Sequence, residues 1–469
     1  MKASRSGIAL LALLPLLLVA ACAREGDARQ ARSAVLILLD TLRADRLSVY
    51  GHERATSPSL EALAAEGVAF ERAVSNSSWT LPASVGLLSG SYPTRAQYQR
   101  ELLVSLVEEL RDAGLATAAF TEGGYFSRAY GLDRGFERWV EEESEVRLQI
   151  GGQHYHRTAG GGIENTFRQA ADWLREHAGE RFFLLVHSYE THSPYLRRDF
   201  AAERAPEPIG ETFDTKDLLR LRSGEVTLGP EQVDYLGDLY DGGVRAADAQ
   251  VGRLLALLEE LGLSDETLVV VTSDHGEDLG ERVPSRAGDH GHSLYDEQVR
   301  VPLVMRVPGL RSTGRRVSAQ VRSIDVMPTV LALLGIASER AGDGRSLVPY
   351  LEGREQTDLP ALSWTSPPPL GKRAPRAAYS DGRYKLLTNH PQAEPKLPVV
   401  SVFDVRADPD ERQDLAPERP ELVERLRGEL DALGARIDAS GAADYRPRAE
   451  LSEAMRRRLE SLGYGEQAP

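Results

Sequence analysis

The chain has 469 residues, enough for one large domain and a smaller one around ample core. Its formal net charge of −15 argues against nucleic acid as a partner, which calls for a basic face, and suits an acidic body outside the cytoplasm. A single cysteine excludes an internal disulfide.

In chain order, Lys2 and Arg5 precede an apolar run from Ile8 to Ala21, too short for a comfortable membrane span. Residues 1–22 therefore read as an export signal. The run closes in Val19-Ala20-Ala21-Cys22, which is similar to a bacterial lipobox, with the lone cysteine at the lipid-bearing position. The plainer alternative is an ordinary signal or anchor helix with a chance cysteine. Lipidation of Cys22 predicts an exported protein held on a membrane, on the periplasmic or outer-surface side.

A polar linker covers 23–33. Val35 to Leu39 is an unbroken apolar run, predicted as a strand buried on both faces of a parallel sheet and ending in Asp40. Ligands gather beyond the carboxyl ends of such strands, so Asp40 is well placed for chemistry. A helix is expected over Pro58–Glu66, between Ser57 and Gly67 as caps. Next comes a hydroxyl-rich loop, Ser77-Ser78-Trp79-Thr80, leading into Pro82, Val85, Leu87 and Leu88, with Gly90 as a stop. Thr80 then lies just ahead of a helix N-terminus, where free N–H groups and the helix dipole favour an anion.

Glu101–Asp112 reads as amphipathic and Ala116–Phe120 as an inner strand. Gly151–Gly162 is glycine-rich and holds His154 and His156; with no third ligand nearby it reads as a solvated or substrate-side loop. A helix over Glu164–His177 leads to a buried strand, Phe182–Val186, followed by His187, Glu190 and His192. Arg198–Gly229 is polar, a surface excursion. Glu231–Leu261 predicts one or two helices, weakened at Gly242-Gly243, with Asp241 and Asp248 solvated or ion-paired.

Leu268–Thr272 is a β-branched strand closing in Ser273-Asp274-His275-Gly276-Glu277. An acid beside an imidazole at one strand end is a natural way to deliver two metal ligands. A cap and turn would explain Asp274 and Gly276 but not His275. Beyond an insertion around Glu281–Ala287 come His290 and His292, in Gly288-Asp289-His290-Gly291-His292. Further on are a helix over Asp325–Leu334 and a Pro-rich linker to about Pro375. A hairpin over Tyr379–Leu386 turns at Asp381-Gly382, and a closing strand covers Val402–Asp404. A helix runs from Pro420 to Leu433, and a charged tail helix from Leu451 to Leu462.

In order and wording these segments resemble the sulfatase family of the alkaline phosphatase superfamily. Its nucleophile segment is Cys or Ser, any residue, Pro, any residue, Arg, then a small-apolar helix. Laid on it, Thr80 falls at the nucleophile, Pro82 at the proline and Ser84 at the arginine. Asp40-Thr41 keeps the first of the family's two adjacent acids. Asp274 and His275 fall at metal-binding positions, and His192 matches a substrate-facing histidine, with His187 left as structural. One of His290 and His292, preferably His290, faces the substrate.

The resemblance covers roughly Ala34–Leu433. It implies an α/β, alkaline-phosphatase-like sandwich: a central, mostly parallel sheet flanked by helices, plus a small C-terminal antiparallel subdomain. The implied domains are a catalytic domain over 34–350, the subdomain over 351–437 and the tail over 438–469.

The departures shape the expected chemistry. Formylglycine needs Cys or Ser, and the only cysteine lies in the leader. No lysine occurs between Lys2 and Lys216, or between Lys216 and Lys372, so the family's two sulfate-gripping lysines have no source. An aligned threonine, one Asp, then Asp-His resembles the Thr-nucleophile relatives, such as lipoteichoic acid synthases and phosphoethanolamine transferases. The resemblance then implies Asp40, Thr80, Asp274 and His275 around one divalent cation, Zn or Mn favoured and Ca possible. Thr80 is the expected nucleophile, and His192 with His290 or His292 stabilises the transferring group and protonates the leaving oxygen. The expected substrate is a small-molecule, lipid or glycan ester carrying one negative charge: a phosphodiester or phosphonate monoester. Two alternatives remain, a sulfatase without formylglycine and a metal-binding lipoprotein without catalysis.

Overall fold

The computed structural model describes residues 30–93, 105–142, 146–150, 153–157, 162–202, 205–310, 314–338, 342–365, 376–391 and 395–439. The leader with Cys22, most of the 23–33 linker, the start of the 101–112 segment, residues 366–375 and the 451–462 tail helix lie outside these residues; the described part of the expected Pro-rich linker is instead structured, as a short helix over Val348–Leu351 and a strand over Ala361–Thr365.

Eight of the described strands make one sheet. In chain order the first four are β1 (Ser33–Leu39), β2 (Val68–Val74), β3 (Ala116–Thr121) and β4 (Arg138–Glu141). A separate hairpin follows, β5 (Val146–Ile150) and β6 (Gln153–Arg157). The large sheet resumes with β7 (Phe182–Ser188), β8 (Thr267–Thr272), β9 (Arg300–Arg306) and β10 (Arg315–Arg322). Its order is β10-β2-β9-β8-β1-β7-β3-β4, parallel except for β9, which runs against β2 and β8.

The apolar runs explain this placement. Every residue of β1 is buried, and its side chains alternate between two cores, Leu36 and Leu38 on one face, Val35, Ile37 and Leu39 on the other. Helix α1 (Pro58–Glu66) packs on the second face; α2 (Thr80–Ser89) and α3 (Val107–Asp112) pack on the first. The long connections supply α4 (Gly162–Glu176), α5 (Thr215–Arg222), α6 (Pro230–Glu260), the short α7 (Asp296–Val299), α8 (Val326–Leu333) and α9 (Val348–Leu351). A second sheet, wholly antiparallel, holds β11 (Ala361–Thr365), β12 (Arg376–Ser380), β13 (Tyr384–Asn389) and β14 (Val400–Asp404). Helix α10 (Pro420–Ala439) covers it, laying Leu422, Leu426, Leu433 and Ile437 on Leu362, Tyr379, Leu386 and Val402. No described helix is long and apolar enough to cross a membrane.

Several local expectations are corrected. The glycine-rich 151–162 segment is no simple loop: in the β5–β6 pair His154 stands opposite Gln149 and His156 opposite Arg147. The 198–229 stretch is not merely superficial, because Ile209, Phe213, Leu218, Leu221 and Leu228 are buried in the second core. Their irregular spacing hides them from a periodicity test. Helix α1 has no side-chain cap from Ser57. Asp248 does that work from α6, accepting the N–H groups of Ser59 and Leu60 at 2.9 Å each; it is buried rather than solvated, and Arg245 pairs with it at 3.9 Å. Asp241 is ion-paired as expected, to Arg54 at 2.9 Å, and is hydrogen-bonded to His52 Nε2 at 3.0 Å.

Helix α6 is also unbroken through Gly242-Gly243. A Cβ on Gly242 would sit 2.8 Å from both the Cβ and the carbonyl oxygen of Arg197, and one on Gly243 would sit 2.9 Å from the Glu190 carbonyl. The glycines let the segment around His192 lie directly on the helix. Gly242→Ala gains about 1 kcal/mol of helix propensity, against an overpacking cost of about 1–3 kcal/mol. We expect a lower denaturation midpoint; an unchanged or raised one would show that the 190–197 segment simply yields.

Candidate active site

Three elements deliver the site. Asp40 follows β1, Asp274 and His275 follow the neighbouring β8, and Thr80 opens α2. The helix begins two residues earlier than its proline suggests, so Thr80 lies in its first turn.

The connections are tightly held. Thr41 has a φ of +58°, rare for a β-branched residue. Its carbonyl accepts the Tyr240 hydroxyl at 2.7 Å, and that hydroxyl accepts the Arg43 N–H at 2.9 Å. The Thr41 hydroxyl donates to the Asp40 carbonyl at 2.6 Å. Ser273 Oγ accepts the Leu42 N–H at 2.9 Å and donates to the His275 carbonyl at 2.6 Å, joining the two strand ends. Ahead of α2, Asn76 donates to the Pro82 carbonyl at 2.9 Å and accepts the Ser323 hydroxyl at 3.1 Å.

These ties converge on a buried cluster. The Thr80 hydroxyl lies 3.2 Å from Asp40 Oδ2, to which it donates, and 3.3 Å from His275 Nε2. His275 Nε2 is 3.4 Å from Asp274 Oδ2 and 4.0 Å from Asp40 Oδ1. One ligand atom from each of Asp40, Asp274 and His275 lies within 4.8 Å of the others. His275 Nδ1 donates to the Gly276 carbonyl at 2.8 Å, which leaves Nε2 as the lone-pair nitrogen turned to the cluster.

The donor set fits a divalent cation. Asp40 Oδ1 and Asp274 Oδ2 are buried without a hydrogen-bond partner. Burial, then Asp274 and Glu277, raise the Asp40 carboxyl well above its ordinary range, and burial raises Asp274. Two buried carboxylates that oppose each other call for positive charge between them. No Lys or Arg among the described residues supplies it by bonding to Asp40, Thr80, Asp274 or His275.

Around the cluster, His290 lies ring to ring with His275 at 4.5 Å and with His192 at 5.0 Å. His292 instead bonds through Nε2 to Asp278 at 3.1 Å and Gln298 at 3.1 Å. The structure thus brings His290, rather than His292, against the ligands. Burial, then His290, pushes His192 down to about 3; burial, then His275, holds His290 well below the usual imidazole range. His187 is closer than a purely structural role requires, its Nε2 3.5 Å from Asp40 Oδ2, with the ring stacked on Phe126. Ser84, one turn beyond Thr80, is buried and its hydroxyl has no hydrogen-bond partner.

Helix α7 braces the cluster from behind. The carbonyls of Glu297 and Gln298 accept the N–H groups of Glu277 and Gly276 at 2.9 Å each. A Cβ on Gly276 would meet the Glu297 carbonyl oxygen, so only glycine permits this approach. Asp296 in turn binds Arg72 at 2.8 Å and Lys385 Nζ at 2.7 Å, and its N–H donates to Glu411 at 2.6 Å. Lys385 also pairs with Glu411 at 2.9 Å. Sequence reading assigned no role to Glu277, Gln298, Asp296 or Lys385; the one available signal was a buried-strand lysine, Lys385, inside an otherwise apolar run.

A family model described as sulfatase matches residues 32–336, and one described as the C-terminal region of N-sulphoglucosamine sulphohydrolase matches 288–436. The chain is 29% identical over 316 residues to the multifunctional alkaline phosphatase superfamily protein PehA of Trinickia caryophylli, covering 59% of this chain and 60% of that protein. It is 28% identical over 429 residues to the ulvan-active sulfatase of Formosa agariphila, covering 85% and 79%. The phosphonate monoester hydrolase of Agrobacterium radiobacter shares the fold, with a TM-score of 0.66 and 20% identity over 86% of this chain and 96% of that one. The sulfatase match takes in β1 through α8, well over half of the chain and every ligand of the cluster. The protein is a member of the sulfatase family, a hydrolase of the alkaline phosphatase superfamily.

Proposed function

We propose that the protein is a metal-dependent enzyme that transfers the phosphorus group of a phosphodiester or phosphonate monoester through Thr80. The observation that carries this reading is the Thr80 hydroxyl, buried at the start of α2 and within 3.3 Å of both Asp40 and His275. The chain's single cysteine, Cys22, lies in the leader and does not take its place.

Asp40, Asp274 and His275 would hold the cation, and this mix of carboxylate, imidazole and hydroxyl suits Zn or Mn better than Ca, which prefers oxygen ligands throughout. When bound, the cation supplies the positive charge that lowers the pKa of the Thr80 hydroxyl. Asp40 Oδ2 accepts the Thr80 hydrogen bond and orients the oxygen. Thr80 Oγ gives up its proton to the neutral imidazole of His290 or His192 and attacks phosphorus; the bond to the leaving oxygen breaks, and that imidazole hands the proton on to the leaving oxygen. Water or an acceptor alcohol then attacks the Thr80 ester, losing its proton to the same imidazole, which passes it to Thr80 Oγ as the ester bond breaks.

The charge of the site selects the substrate. Asp40, Asp274 and an ionised Thr80 together outweigh a divalent cation by about one charge. A dianionic monoester is then repelled at short range by several kcal/mol, whereas a monoanion is accepted. Sulfate esters are monoanions too, and the sulfatase relatives make them the second reading. Lipidation of Cys22 would hold the enzyme on a membrane, where lipid or glycan esters are at hand. The test is steady-state turnover of aryl phosphodiester, aryl phosphonate, aryl sulfate and aryl phosphate by the full chain loaded with Zn or Mn. Diester or phosphonate is expected to lead; fastest turnover of the phosphate monoester would overturn the charge argument, and fastest turnover of sulfate would establish the second reading.

A further inference from the structure

Three of the histidines around the cluster are held alike at Nδ1 but not by like groups. His275 and His192 each use a backbone carbonyl, Gly276 at 2.8 Å and Ser193 at 2.5 Å. His290 uses a carboxylate: its Nδ1 is 3.0 Å from Glu277 Oε1. We propose that Glu277 is a positioning residue, fixing His290 with Nδ1 protonated so that Nε2 is the nitrogen that exchanges a proton with the reacting group. This rests on the role given to His290 above.

Glu277 is fully buried, and no Lys or Arg among the described residues forms an ion pair with its carboxylate. Burying a carboxylate without a cation is costly, so a packing role alone would be better filled by an apolar side chain. Its backbone is pinned from two sides, the N–H donating to the Glu297 carbonyl at 2.9 Å and the carbonyl accepting Arg43 Nη1 at 3.1 Å. A side chain on so fixed a backbone sets the tilt of the ring it holds. The neighbouring pair shows the contrast: His292 meets Asp278 through Nε2, the opposite edge, and lies away from the ligands.

The test uses the full-length, metal-loaded chain and two phosphonate monoesters, one with a 4-nitrophenyl and one with a phenyl leaving group. Glu277→Ala is expected to lower kcat on the phenyl ester by about 10-fold to 100-fold, as removal of an imidazole's orienting partner does. The 4-nitrophenyl ester, whose leaving oxygen needs little help from an acid, should lose far less. Glu277→Gln, whose amide oxygen accepts the same N–H, should recover most of the loss and guards against a folding failure. The double variant Glu277→Ala with His290→Ala should be no slower than His290→Ala alone. Equal losses on both esters, or losses that multiply in the double variant, would overturn the proposal. Side-chain ¹⁵N NMR of His290 reads the same point without substrate: Nδ1 protonated in the wild type, and that tautomer lost in Glu277→Ala. If neither ester turns over, the proposed reaction fails while this tautomer still decides the role of Glu277; an unchanged His290 signal refutes it.

Discussion

Thr80→Ala should lower turnover of the preferred ester by on the order of 10⁴-fold, the scale of removing a covalent nucleophile. Metal content should hardly change, because Asp40, Asp274 and His275 remain. Thr80→Ser keeps an oxygen at nearly the same place and gives up only a buried methyl, so it should retain measurable activity. The readout is kcat/KM for the three proteins, together with the mass of acid-quenched enzyme, which should rise by the transferred group in the wild type and in Thr80→Ser. A Thr80→Ala protein with near wild-type rates would remove the threonine from the mechanism and point to direct attack by water.

The second large effect concerns the metal ligands, and it has opposite signs for activity and for stability. His275→Ala and Asp274→Asn should each lose most of the bound metal, measured by elemental analysis after dialysis, and most of the activity with it. Under chelator, Asp274→Asn should nevertheless unfold later than the wild type, by on the order of 1–3 kcal/mol, because it relieves an uncompensated buried charge. The sign follows from the raised Asp40 and Asp274 carboxyls. A carboxyl whose folded pKa exceeds its unfolded value of about 3.9 binds its proton more tightly when folded. Its stabilising contribution is complete at lower pH and disappears as pH rises through the folded value. The advantage of Asp274→Asn over the wild type should therefore widen from about pH 4 toward neutral. With metal added, the order reverses, since only the intact ligand set gains binding energy on folding. A metal-free wild type as stable as Asp274→Asn across that range would show that water neutralises the cluster.

How much of this could be read in advance follows from what each residue touches. Asp40 stands immediately after Val-Leu-Ile-Leu-Leu, and Asp274 and His275 just beyond the end of Leu268–Thr272; a run buried on both faces announces a parallel strand whose end is a place for ligands. Thr80 was marked by the hydroxyl-rich approach to a helix. His290 and His292 could not be separated, because two positions on an aperiodic loop have no preferred face; Glu277, Asp278 and Gln298 decide between them from other segments. Gly242 and Gly243 looked like a weakness because propensity counts the helix alone. Their use lies in the chain opposite. The capping role of Asp248 is hidden for the same reason, since the N–H groups it accepts belong to a helix 188 and 189 residues away in sequence.

The brace behind the metal ligands also has a place in time. Asp40 and Thr80 leave the ribosome early, but Lys385 and Glu411, which hold Asp296 and through it the Gly276–Glu277 backbone, come more than three hundred residues later. At about 5–20 residues per second, synthesis from the first ligand to the last brace takes on the order of 20–70 s. For the last 136 residues of that interval, from His275 to Glu411, the three side chains proposed to hold the metal exist without the ion-pair cluster that fixes their loop. The antiparallel sheet is thus a late checkpoint: only a chain that has grown past Glu411 has this loop clamped.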